Sequence, residues 1–213
     1  MKFLPLLLAV AFAFCFTGTV KSQSFSRGTN VVSAGYGIGG YGWSIRAAYS
    51  GYSAFEGYKY SGFGPVVFSY ERGITDKLGI GYIGVGGSVS YGSFGVTYYQ
   101  DGFNSATSQI VPYEYGYRWG TLSITGRAAY HFDFSNDKLD VYTGAGVGFM
   151  SWSYRGTSTD PDFNADVYNN YASVPLAYQV FAGVRYYFTD NFGAYAEAGA
   201  GITLLNFGVN LKF

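Results

Sequence analysis

From Leu139 to Met150 the chain alternates with a period of two. Leu139, Val141, Thr143, Ala145, Val147 and Phe149 share one face, and Asp140, Tyr142, Gly144, Gly146, Gly148 and Met150 share the other. Successive side chains of a strand point to opposite faces, so this spacing predicts a strand with one apolar face and one small or polar face. The same pattern returns in 174–188, where Leu176, Tyr178, Val180, Ala182, Val184, Tyr186 and Phe188 oppose Gln179, Arg185 and Tyr187. In 120–133 Leu122, Ile124, Ala128, Tyr130 and Phe132 oppose Thr125, Arg127 and His131. In 204–213 Phe207, Val209, Leu211 and Phe213 oppose Asn206, Gly208, Asn210 and Lys212. Less regular alternation predicts further strands over 30–41, 63–73, 77–89 and 191–201, with the facing of the Gly-rich 30–41 and 77–89 left open. Most of these eight strands approach or exceed the 9–11 residues of a membrane-crossing strand.

The connections alternate in kind. Short polar turns at Thr75-Asp76-Lys77, Ser135-Asn136-Asp137-Lys138 and Thr189-Asp190-Asn191 are separated by long segments over about 42–62, 90–118 and 153–172. Short turns on one side and long loops on the other are the plan of an outer-membrane barrel, with turns periplasmic and loops extracellular. The fold class expected is therefore all-β, an eight-stranded antiparallel up-and-down transmembrane β-barrel. Closing the sheet satisfies every backbone N–H and C=O, which lipid demands. An even strand number brings both ends of the mature chain to the periplasmic side.

Composition sharpens the picture. Charged residues make up 12% of the 213 and sum to zero, while aromatics reach 21% and glycines number 32. The chain is too apolar for disorder and lacks the basic excess that nucleic-acid binding requires. At the N-terminus Met1-Lys2 precedes an uncharged, mostly apolar run from Phe3 to Phe16, and Val20-Lys21-Ser22 sets small residues before Gln23. This predicts a cleaved signal peptide over 1–22 and a barrel domain over 23–213. The one cysteine, Cys15, lies inside that segment, so the mature chain is expected to carry no disulfide.

Trp43, Trp119 and Trp152 all fall at the long-loop ends of predicted strands, which predicts an interfacial girdle there. Phe132, Phe188, Phe192 and Phe213 fall at the short-turn ends and predict a second one. Measured inward from the short turns, Arg127 and Glu197 lie at similar depth, while Arg185 and Glu71 lie nearer the turns. An eight-stranded lumen is narrow enough to be filled by side chains, and a buried Arg needs a carboxylate. Ion pairs Arg127–Glu197 and Arg185–Glu71 are therefore expected to plug it, either as static packing or as a gate that opens when partners exchange. Asp140, Lys212 and His131 are placed at the periplasmic rim.

Other motifs carry less. Asp160, Asp162, Asn164 and Asp166 space oxygen ligands two apart, like the start of a calcium loop. Ala165 and Tyr171 stand where such a loop has Gly and Glu, and solvated acidic residues are the ordinary alternative. Gly35-Tyr36-Gly37-Ile38-Gly39-Gly40 matches a nucleotide-binding glycine pattern, but no helix follows it, so no cofactor is expected. The sole histidine sits at the short-turn end, away from where a barrel enzyme places its base, so no catalytic residues are assigned. Tyrosines, among them Tyr49, Tyr52, Tyr58, Tyr60, Tyr98, Tyr99, Tyr113, Tyr115, Tyr117, Tyr154, Tyr168 and Tyr171, crowd the long segments. They suit recognition of an external ligand, or strands that run on beyond the membrane.

The final residues Asn206-Phe207-Gly208-Val209-Asn210-Leu211-Lys212-Phe213 resemble the C-terminal assembly signal of bacterial outer-membrane barrels, with Gly208, Leu211 and Phe213 at its marked positions. Tyr142-Thr143-Gly144-Ala145-Gly146-Val147-Gly148, Gly183-Val184-Arg185-Tyr186-Tyr187-Phe188 and Glu197-Ala198-Gly199-Ala200-Gly201 resemble the outer-membrane β-barrel domain family common in Bacteroidetes, kin to small OmpA/OmpX-like barrels. The resemblance implies outer-membrane lipid as surroundings, the barrel assembly machinery as a partner in biogenesis, and a non-enzymatic structural or surface-recognition role. A narrow solute conduit is the alternative, and a lipid- or peptide-modifying enzyme the third.

Overall fold

The computed structural model describes residues 24–40, 47, 50–54, 56–105, 107–167, 172–173 and 175–213. The expected signal segment 1–22, Trp43, Tyr49, Tyr168 and Tyr171, and the side chain of Tyr52, lie outside the described residues. The strands are β1 (Asn30–Ile38), β2 (Lys59–Gly73), β3 (Gly81–Asn104), β4 (Gln109–Phe132), β5 (Leu139–Ser158), a two-residue β6 (Ala172–Ser173), β7 (Leu176–Tyr187), β8 (Phe192–Gly201) and β9 (Leu205–Lys212). All pairings are antiparallel. β1 to β5 pair in succession, β5 pairs with β7, and β7, β8 and β9 follow. β9 returns to β1, which closes a ring of eight strands, and β6 lies beside β5 at Trp152 and Ser153. The seam is completed by reciprocal 2.9 Å backbone bonds between Asn30 and Phe213.

Alternation sets the two faces. From Thr121 to His131 of β4 the buried positions are Thr121, Ser123, Thr125, Arg127, Ala129 and His131, while Leu122, Ile124 and Ala128 between them are exposed. The polar set therefore turns into the lumen and the apolar set outward. Val180, Ile124 and Phe149 are 56%, 58% and 67% exposed in mid-strand. The same alternation resolves β1, where Val31 and Ser33 are buried and Val32, Tyr36 and Ile38 are exposed.

β2 departs from simple alternation. Its register to β3 shifts between Phe63 and Val66, so one extra residue is housed near Gly64, whose φ of +84° suits glycine. The bulge reverses the facing beyond it. Val67 and Glu71 point inward below, while Phe63, Ser61 and Lys59 point outward above.

The segment 90–118, expected to be mostly loop, is a β-hairpin. The β3–β4 register runs unbroken from Gly81↔Phe132 to Asn104↔Gln109. A hairpin that extends past its neighbouring strands is free to carry polar side chains on both faces, so Gln100, Asp101 and Asn104 do not end it. The hairpin outreaches its neighbours, since β2 pairs with β3 only as far as Thr97 and β5 with β4 only as far as Tyr115. Tyrosines pack it together. Tyr98 lies 5.9 Å from Tyr115, and Tyr117 stacks on Tyr154 at 5.9 Å.

Candidate functional site

The lumen gathers the chain's buried polar chemistry. β2, β4, β5 and β7 each turn an ionisable side chain inward near their short-turn ends: Glu71, His131, Asp140 and Arg185, none more than 2% exposed. They form a closed ring. Arg185 donates to Glu71 Oε2 at 2.7 Å and to Asp140 Oδ2 at 3.1 Å. His131 reaches Asp140 Oδ1 through Nδ1 at 2.8 Å and Glu71 Oε1 through Nε2. Ionised carboxylates only accept, so with Glu71 and Asp140 both ionised the two imidazole nitrogens would both donate and His131 would supply the second positive charge of the ring.

A second group lies deeper. Arg127 Nη2 is 2.6 Å from Glu197 Oε1, which also accepts the Tyr142 hydroxyl at 2.9 Å. The Arg127 guanidinium lies 4.0 Å over Phe181, and that of Arg185 lies 4.3 Å over Tyr142. Tyr142 thus touches both groups. Three carboxylates face two guanidiniums and one imidazole in these two groups. Towards the long-loop end the filling is neutral. Gln179 Nε2 donates to Thr125 at 3.0 Å and Ser88 at 3.3 Å, and Ser90 bonds Ser123 at 2.6 Å. The gap between Ser90, Thr121, Ser123 and Met150 is about the size of one water.

The structure places the other expected site residues as follows. His131 and Asp140 are not rim residues, because the N-terminal segment covers them. Phe25 stacks on His131 with centroids 3.6 Å apart and packs with Val31 and Tyr82. Ser24 Oγ donates to the Leu139 carbonyl at 2.8 Å, and Gly28 N to Gly73 O at 2.9 Å. Nothing periodic marks Ser24-Phe25-Ser26 in the sequence, so this cover had no signal there. Lys212 does sit at the mouth, with Nζ 4.2 Å over the Tyr187 ring.

Trp119 and Trp152 correct the expected girdle. Strand alternation puts them on the face of Thr121 and Met150, which turns inward. Trp119 packs 5.2 Å from Tyr154 rather than presenting its ring outward. The outward aromatics at that end are instead Tyr36, Phe63, Tyr91 and Tyr178.

The calcium candidate does not converge. Asp160 accepts the Tyr115 hydroxyl at 2.7 Å on one oxygen and the Asp162 amide at 2.9 Å on the other, and Asn164 caps the Asp166 amide at 3.0 Å. Among the described residues no group of three or more His, Cys, Asp and Glu is arranged to hold a metal. In the short turns, a 2.7 Å hydrogen bond from Lys77 to Asp133 raises the lysine and lowers the aspartate from their ordinary values. With its lysine half exposed to solvent, the pair adds little stability.

The Phe25 cover is testable through the single histidine. Diethyl pyrocarbonate should leave His131 of the folded protein nearly unmodified. Phe25→Ala should raise the modification rate on the order of tenfold by easing local opening. An unchanged rate in a folded Phe25→Ala variant would show that Phe25 does not guard the ring.

No protein-family model matches the chain, and no curated protein does. Solved structures match over most of it. The N-terminal β-barrel domain of Pseudomonas aeruginosa OprF is 18% identical with a TM-score of 0.41, over 88% of this chain and 98% of that one. Ail, the attachment invasion locus protein of Yersinia pestis, is 12% identical with a TM-score of 0.42, over 88% and 99%. Ail is also solved in complex with the heparin analogue sucrose octasulfate. Outer Membrane Protein W of E. coli is 12% identical with a TM-score of 0.39, over 89% and 99%. The closed eight-stranded ring stands on the strand pairing described above.

Proposed function

We propose that the chain is a sealed, non-enzymatic barrel of the bacterial outer membrane that serves as a structural and surface-recognition protein. Its short turns and mature termini face the periplasm, and its long hairpins face outward from the cell. The observation that carries the membrane reading is the apolar outer face. Along β7 the outward positions run Tyr178, Val180, Ala182, Val184, Tyr186 without a charge. From Tyr178 to Tyr186 the strand climbs roughly 20 Å at the rise and tilt of a membrane strand, close to the height of a lipid-facing band. Outward aromatics bound the belt at both ends, with Tyr70, Tyr186, Phe188 and Phe192 at the short-turn side. An apolar surface this continuous needs an apolar solvent.

The sealed lumen favours scaffold over conduit. Paired charges and Phe25 close one end, and hydroxyl and amide side chains fill the other. Both His131 nitrogens are held by carboxylates, so the one imidazole has no free nitrogen for general-base work. The β3–β4 hairpin stands clear of the ring and offers Phe103 and Ile110, a directly opposed pair 63% and 73% exposed, to an external partner. In planar bilayers the purified protein should give no steady unit conductance. A stable open channel would favour the conduit reading and remove the scaffold one.

A further inference from the structure

The outward face carries a second ordered feature above the belt, towards the long-loop end. Three strands there follow the same sequence of chemistry along the outward positions. β5 reads Phe149, Ser151, Ser153, Arg155; β4 reads Leu122, Gly120, Arg118; β2 reads Phe63, Ser61, Lys59. Each passes from apolar, through small or hydroxyl, to basic. Arg118 and Arg155 are direct register partners on neighbouring strands, and both are exposed. Directly opposed side chains start roughly 5 Å apart, and like charges in that relation destabilise a sheet. Neither guanidinium has an acidic partner among the described residues. The nearest outward carboxylate along β4, Glu114, accepts a 2.8 Å hydrogen bond from Tyr99. On the other side of Arg118 lies Gly95, which has no side chain to screen it.

We infer that Arg118 and Arg155 bind a phosphate group of an outer-leaflet lipid headgroup. The inference rests on the membrane reading above. Two guanidinium forks side by side suit a phosphate, whose oxygens accept paired N–H donors. An anion between them turns the mutual repulsion into attraction. Their position fits a headgroup rather than a soluble ion, because the same strands supply acyl-chain contacts at Leu122 and Phe149 and hydroxyls at Ser151 and Ser153 for the polar layer between.

The test titrates the full, folded chain in zwitterionic detergent with lipid A, and reads the lipid complex by native mass spectrometry. Removing two basic groups from a membrane-surface site weakens anion binding roughly thirtyfold. Arg118→Gln with Arg155→Gln should therefore raise the half-saturating lipid A concentration by about that factor. Dephosphorylated lipid should not distinguish wild type from variant, and inorganic phosphate should not displace the lipid. Equal half-saturation for wild type and variant would overturn the phosphate site. Displacement by inorganic phosphate at the lipid's own concentration would overturn its assignment to a headgroup. A gel-mobility shift on boiling, read for both proteins, separates the two levels. If the wild type shows none, the membrane reading falls and takes the site with it; if both shift but bind alike, only the site falls.

Discussion

Arg185→Gln should cost the folded barrel about 3–5 kcal/mol, read as a drop in the urea midpoint of unfolding in detergent or lipid. The reason is the ring. Arg185 is held by Glu71 and Asp140, and all three are buried. Without the guanidinium two buried carboxylates face one imidazole, and removing one partner of a buried pair leaves a charge uncompensated. Arg185→Gln combined with Glu71→Gln should recover a large part of the loss, since the surviving Asp140–His131 pair is then balanced. A double variant no more stable than Arg185→Gln alone would show that Glu71 and Arg185 do not act through each other.

The second large effect belongs to the outer face. Ala182→Arg should destabilise the barrel in a bilayer by about 2–4 kcal/mol, the cost of arginine near the midplane on a lipid-facing strand position. Ala182 is exposed, midway between Tyr178 and Tyr186 on β7. In a water-soluble protein the same exposed position would accept arginine within about 0.5 kcal/mol. Gln100→Arg, on the hairpin beyond the ring, is the control and should be nearly neutral. Equal behaviour of the two variants would mean that β7 does not face lipid.

Much of this architecture is legible in the sequence because a barrel wall writes its two faces as a period of two. β4, β5, β7 and β9 can be read with the correct face turned inward, down to Arg127, Asp140, Arg185 and Asn206. Counting residues from the short turns also brings Arg127 level with Glu197, and these side chains meet at 2.6 Å. What escapes the pattern has a physical cause in each case. The outer ends of β3 and β4 carry polar residues such as Gln100, Asp101 and Asn104, so the apolar alternation lapses and a hairpin reads as loop. One inserted residue in β2 reverses its facing, and no period survives a bulge. Trp119 and Trp152 have an interfacial composition, but their parity sends them inward. His131 lies close to a turn along the chain, yet Phe25 arrives from the other end of the barrel sequence to stack over it. Depth along a strand can be counted; a cover folded over its end cannot.

The arrangement ties stability to function through one economy. On the proposed reading, the buried ion pairs that fill the lumen also close it, leaving the hairpins and the outer rim as the surfaces on which a partner or a lipid would act. The most direct test of the central claim is electrophoretic. The full-length chain is expressed, the outer-membrane fraction is isolated, and the protein is run in SDS with and without boiling, beside Phe213 truncated from the seam it shares with Asn30. A lipid-embedded barrel predicts a faster, compact band before boiling, a slower one after, and loss of the compact band when Phe213 is removed. A single mobility under both conditions, with the protein free in the periplasm, would contradict it.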